Sequence, residues 1–342
     1  MRPSPVGPVL PLGATGAWAW WTTRGDGDQR ALRFGASPPA PVPQGLVVFR
    51  LHQVHGADVV VAGPPPAGDL ARGPSRDRRS AGRRGAPSRR GTGAAVVLPV
   101  AADDAAAGGP PADGVVSRAG GWCLTVLTAD CASMALATAG GAYGAVHVGW
   151  RGLRAGIVEA AVAAIADIAA PAPPGDHPDA AHQGAGAPDG AGPVVSNGGV
   201  FAPGGDAPDV GELTRVVAGL GPCIGSCCYE FTGPELEELA ARYGDGVVAT
   251  SRGGRPALDL RYAVRRAVED AGATVVFEAG PCTACGGGWF SHRARRDVGR
   301  QALFVWRQDV PGPERRVPAG EQAVPGGPLP AARDAGAGPD AP

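Results

Sequence analysis

The stretch LTADCASMALATAGGAYGAVHVGWRGL, residues 127–153, decides the architecture. Two runs of small and apolar residues, 132–138 and 142–148, flank Gly140-Gly141, the signature of a β-hairpin. Gly149 to Gly152 break the second strand. Beyond them Leu153, Ile157, Ala161, Ala164, Ile165 and Ile168 recur at helical spacing, predicting a helix that begins near Leu153. His147 lies between Val146 and Val148, so on a strand it points to the face opposite those two.

Working outward, LVVFRL, HQVHG and ADVVVA (46–62) read as strand, turn and strand, and WCLTVL (122–127) as another strand ending in the turn TADC. EFTGPELEELAARYG predicts a helix from near Pro234, since proline is tolerated in a first turn. LDLRYAVRRAVEDAGA predicts a second, with Leu260, Val264, Ala267 and Val268 on one face and a stop at Gly272. TVVFEA and QALFVW complete the strands. Strand pairs interleaved with helices predict an α+β fold, a mixed β-sheet sandwich flanked by helices, without the βαβ rhythm of a dinucleotide-binding domain.

Glycine and proline, 56 and 36 of 342 residues, are concentrated in three stretches. Residues 63–95, 170–210 and 311–342 carry too little large apolar surface to offset the entropy of ordering. They read as two disordered insertions and a tail, leaving one catalytic domain over residues 1–310. The Arg-rich first insertion reads as a solvated loop rather than a nucleic-acid patch. A formal charge of −1 gives no electrostatic footprint for nucleic acid or an anionic membrane. All 31 basic residues are arginine, which excludes a P-loop lysine and a Schiff-base lysine. Seven cysteines fit poorly with a fully paired secreted framework. No signal peptide or bilayer-spanning stretch is read, so the expected compartment is the cytoplasm. No feature sets an oligomeric state.

Of six histidines, His177 and His182 fall in an insertion, leaving His52, His55, His147 and His292. His55 sits in a turn between strands, His147 near a strand end, and Cys131 where a buried strand begins. Two His and one Cys make a catalytic zinc set with a fourth position open, although copper also binds such donors. On residue type alone each is more often a packed core residue than a ligand. Asp113 and Asp130 are candidates to orient ligands or handle protons, or to cap turns. A rival set is Cys223, Cys227, Cys228, Cys282 and Cys285 as a structural zinc site; its spacing is loose, and the sequence favours reduced, partly buried thiols instead. Arg151 follows His147 by four residues at a helix start, where backbone N–H groups and a guanidinium fork attract phosphate; Arg24 and Arg293 are further anion-binding candidates.

LHQVHGADVV, ADGVVSR, LTADC, AVHVGWRGL, GLGPCIGSCCYEF, LDL, CTAC and WFSHRARRDVGRQA resemble, in order, motifs of the YfiH-like family. Its members are named multicopper polyphenol oxidases, laccase-domain proteins or purine nucleoside phosphorylases. The resemblance implies zinc held by His55, Cys131 and His147. It also implies phosphorolysis of adenosine, inosine, guanosine and methylthioadenosine, with adenosine deamination as a further activity. The chain departs in a shortened segment after Arg24, GDGDQRALRFG, and in His292, where the family has Tyr. Two other classes compete: hydrolysis of a cell-wall (peptidoglycan) precursor with Cys131 as nucleophile, and a non-catalytic binding protein with a structural metal. A copper polyphenol oxidase fits less well, because several copper centres need more than six histidines.

Overall fold

All seven residues of WCLTVLT, Trp122–Thr128, are buried, so this strand is covered on both faces and stands inside a layered structure. The structure, a computed structural model, describes residues 9–65, 108–170, 210–278 and 280–307. The chain divides into Met1–Val310 and Pro311–Pro342. Of the segments read as insertions and tail, residues 66–95, 171–209 and 311–342 lie outside the described residues.

In chain order the strands are β1 (Val9–Pro11), β2 (Ala17–Trp21), β3 (Val47–Arg50), β4 (Val59–Ala62), β5 (Gly114–Ser117), β6 (Trp122–Thr128) and β7 (Ala132–Thr138). There follow β8 (Tyr143–Val148), β9 (Val216–Leu220), β10 (Val248–Thr250), β11 (Pro256–Leu258), β12 (Thr274–Glu278) and β13 (Gln301–Arg307). A five-stranded sheet runs β1-β2-β13-β6-β3 and a six-stranded sheet β12-β9-β7-β8-β5-β4, with β10-β11 a separate pair. Both larger sheets are mixed: β3–β6, β4–β5 and β9–β12 pair parallel, the rest antiparallel. The described helices are α1 (Trp150–Ala155), α2 (Ile157–Ala169), α3 (Val210–Thr214), α4 (Pro234–Tyr243), α5 (Leu260–Asp270) and α6 (His292–Arg295). The fold is α+β, as the sequence predicts.

Period-two alternation builds the layers. Ala135, Ala137, Tyr143 and Ala145 of the hairpin pack with Trp122, Leu124, Val126, Leu303 and Val305 between the two sheets. Their neighbours Met134, Leu136, Val146 and Val148 face the other way, against Ile157, Ala161 and Ile165 of α2 and Val264 and Val268 of α5. Trp20, Leu127, Phe304 and Trp306 fill the outer face of the five-stranded sheet, with Val42 and Leu46.

The predicted hairpin is present, β7 pairing antiparallel with β8 and Ser133 opposite His147. The helix after it differs from expectation. It begins at Trp150 rather than near Leu153, and Gly156, at φ 90°, breaks it into α1 and α2. A left-handed residue ends one helix and starts the next because glycine pays no Cβ penalty there. The strands read around HQVHG part company as well: β3 joins one sheet and β4 the other. HQVHG is therefore the crossover between the two sheets, which places His55 where they meet.

Candidate metal centre

Asp113, immediately before β5, organises the site. Its side chain is fully buried. Oδ1 accepts the His55 N–H at 3.0 Å, and Oδ2 accepts the N–H groups of Gly56 at 2.6 Å and Val54 at 3.3 Å. Three consecutive amides on one carboxylate hold His55 at φ 62°, a left-handed conformation that costs a non-glycine residue energy unless its surroundings enforce it. Oδ1 also lies 2.8 Å from His147 Nδ1. A carboxylate can only accept, so Nδ1 carries the proton and Nε2 is left for a ligand.

His55, Cys131 and His147 offer donor atoms that all lie within 4.8 Å of one another. The two imidazoles meet edge to face, centroids 4.8 Å apart. Gly149 closes the space beside them: a Cβ there would stand 3.3 Å from Cys131 Sγ and 3.6 Å from His55 Cδ2. Two imidazole nitrogens, one sulfur, an anchored second nitrogen on His147 and a side-chain-free wall suit a three-ligand metal with an open position. Burial alone would raise the Cys131 thiol, but the charge and hydrogen bond of His147, then those of His55, bring it down to about 6. Burial alone would lower His147, yet Cys131 and Asp113 push it up to about 9. Asp113 is held below its ordinary value against its own burial, chiefly by His147 and the Gly56 N–H. Each of these three groups thus favours the charged form of its neighbour.

Asp130 precedes Cys131 at φ 93°. Its Oδ1 accepts the Thr283 hydroxyl at 2.7 Å and its Oδ2 the Arg293 N–H at 2.6 Å. Both oxygens are therefore engaged in shaping the loop that presents Cys131.

A cleft of about 540 Å³ opens over the centre, lined by His55, Cys131, His147, Asp130, Arg151 and Arg293 among others. Arg151 stacks over Trp150, 4.6 Å from ring centroid, and Arg293 over Tyr229 at 4.9 Å. Asp113 lies beneath the centre and is not a lining residue. Nor is Arg24. It pairs with Asp297 and stacks on Phe290 at 4.7 Å, because the short segment after it turns back on the loop before β13.

Sequence reasoning missed Arg30, Arg50 and Arg300, which with Arg151 and Arg293 make five arginines among the residues lining the cleft against a single carboxylate, Asp130; the Arg30 guanidinium is paired with Asp28. Arg50 Nε is buried without a hydrogen-bond partner among the described residues. Arg300 lies in the quoted motif RRDVGRQA and Arg50 directly before LHQVHG, so proximity to the motifs was the available signal.

The family model described as multi-copper polyphenol oxidoreductase laccase matches residues 42–173 and 209–308, and the chain belongs to that family. It is similar to a purine nucleoside phosphorylase of Streptomyces coelicolor, 32% identical over 198 residues, covering 58% of this chain and 64% of the relative. A second, of Streptomyces griseus, is 31% identical over 201 residues, covering 58% and 63%. The chain thus spans a little under two thirds of the length of these relatives. In fold it resembles the hypothetical protein YfiH of Bacillus licheniformis, with a TM-score of 0.54 at 17% identity, covering 90% of this chain and 98% of that one. Among the described residues no helix is long and apolar enough to cross a membrane.

Proposed function

We propose that the cleft carries out phosphorolysis of purine nucleosides (adenosine, inosine, guanosine and methylthioadenosine), with deamination of adenosine at the same centre, and that His55, Cys131 and His147 hold zinc. The observation that carries this reading is five arginines and a single carboxylate among the residues lining a cleft that also holds a His/Cys/His donor set. Such a cleft selects an anion next to a metal. The names of the relatives supply the reaction.

Arginine forks bind phosphate in bidentate fashion and hold it at a defined distance from the sugar. A phosphate oxygen then bonds to ribose C1′ as the C1′–N9 bond breaks, and the purine leaves with the electron pair and takes up a proton. Orienting two bound reactants in this way removes much of the entropic barrier. Tyr229 and Trp150, both lining the cleft, carry Arg293 and Arg151 on their ring faces and so help to place those two guanidinium groups. Zinc held by His55, Cys131 and His147 would supply Lewis acidity there, which would lower the pKa of bound water towards about 7 for deamination. Asp113 keeps His147 in the ligating tautomer, and Asp130 fixes the Cys131 loop.

The purified protein should release free base from inosine only when phosphate is present, as resolved by chromatography. Cys131→Ala should lower that rate by at least roughly 100-fold. Phosphate-dependent release that survives unchanged in Cys131→Ala sinks the reading. A second reading, a Cys131-dependent hydrolase acting on a cell-wall (peptidoglycan) precursor, is favoured by the depressed Cys131 thiol beside His147. Chelation separates the two, since a cysteine nucleophile keeps working without metal.

A further inference from the structure

We propose that Cys227, Cys228, Cys282 and Cys285 form a second metal site, a tetrathiolate that binds one zinc-class ion and locks together two loops at the edge of the six-stranded sheet. The four sulfurs all lie within 4.8 Å of one another. Cys227 and Cys285 approach to 3.3 Å, and Cys228 and Cys285 to 3.5 Å. An ion about 2.3 Å from each of four sulfurs at tetrahedral angles holds them about 3.8 Å apart. The observed spacing brackets that value for a single ion.

Thiols alone give little reason for this arrangement. A thiol is a weak donor and a weak acceptor, so four of them on a half-exposed surface contribute little by meeting. Two neighbours are instead placed as partners of thiolates. The Gly225 N–H donates to Cys282 Sγ at 3.1 Å, and Arg252 Nη2 donates to Cys285 Sγ at 3.6 Å. Four thiolates on a divalent ion leave a net charge of −2, which an adjacent guanidinium offsets. Cys223, grouped with these residues on sequence spacing, is not a member: it is buried in the core beside Ile224.

The ligands come from two turns far apart in sequence. Cys227 and Cys228 sit in the 3-10 turn Ser226–Cys228 after β9, and Cys282 and Cys285 in the loop after β12. Thr283, between the second pair, donates its N–H to Cys223 O at 3.1 Å and its hydroxyl to Asp130. Arg295 donates to the carbonyls of Thr283 and Ala284, both at 3.1 Å. The ion would tie these contacts into one unit beside the Cys131 loop. It is a structural site: all four positions are filled by protein, leaving none for water or substrate.

The test uses the full chain purified under reducing conditions. To separate this site from the His/Cys/His centre, the background is Cys131→Ala/His147→Ala. That protein should still bind about one zinc per chain, and cobalt substituted for zinc should show the intense visible bands of tetrahedral sulfur coordination. Adding Cys282→Ser and Cys285→Ser should abolish both. In case those variants fail to fold, alkylation of the wild-type protein, mapped by mass spectrometry, gives a second readout. Cys227, Cys228, Cys282 and Cys285 should be protected by zinc and should become reactive together when a chelator is added. An ion count and cobalt spectrum unchanged by the two serines would overturn the proposal. So would reduced protein whose four cysteines alkylate at the same rate with and without zinc, or whose sulfurs are paired as disulfides.

Discussion

Asp113 is a single carboxylate that sets a backbone conformation, a histidine tautomer and the charge balance of the candidate centre. Asp113→Asn keeps the shape but replaces one acceptor oxygen with a donor facing N–H groups. Metal affinity of the His55/Cys131/His147 set should fall roughly 10–100-fold, measured by competitive zinc titration in the Cys282→Ser/Cys285→Ser background. An unchanged affinity would show that the Asp113–His147 contact has no orienting role. The acidic residues near the ligands were legible as candidates because they sit within motifs, Asp113 in ADG and Asp130 in TADC. Their partners were not. Nothing in the neighbourhood of Thr283 or Arg293 states that each donates to Asp130, from 153 and 163 positions away.

At the scale of elements, the hairpin was readable because its turn residues and its two runs lie within 17 positions, and turn chemistry acts locally. Helices α4 and α5 were readable for the same reason, from Pro234 at one start and the apolar stripe of the other. Strands β2 and β9 went unread: AWAWW is buried almost throughout and VVAGL is short, so neither shows polar alternation. The α1–α2 junction was read as part of one pattern, because Leu153, Ile157 and Ala161 keep helical spacing across the break at Gly156. Gly156→Ala should destabilise the protein by about 1–2 kcal/mol, the cost of a left-handed L-residue. The added methyl would also meet Arg242 Nη2 at 3.3 Å. Urea unfolding measures it; a variant as stable as the parent would place the left-handed turn outside the stability of the folded core.

For the whole molecule, Arg24, Asp297 and Arg295 tie the segment after β2 to the loop before the last strand. Burial would raise the Asp297 carboxyl, but the Ser291 N–H and the two guanidinium groups bring it down to about 2. The unfolded value is about 3.9. A group whose folded pKa is depressed stabilises the fold above its unfolded pKa and loses that contribution as pH falls through the folded one. Asp297→Asn should therefore be less stable than the parent near neutral pH, and the two should converge between about pH 4 and pH 2. Thermal melts across that range check it, and a difference that persists undiminished at pH 2 contradicts the ion-pair account.

By itself the amino-acid sequence determined the hairpin, the helix–strand alternation, the absence of lysine chemistry and, through motif order, three candidate ligands. The hairpin and the alternation rest on turn residues and periodicity within a few dozen positions, the missing lysine on whole-chain composition, and the three ligands on motifs whose order resembles that of a known family. Only the tertiary structure decided that β3 and β4 enter different sheets, that Arg24 turns away from the cleft while Arg30, Arg50 and Arg300 line it, and that four cysteines from two loops share one point in space. Those outcomes follow from how the two sheets pack and where their connecting loops converge. Residues separated by up to 270 positions meet there, and no local pattern encodes the meeting.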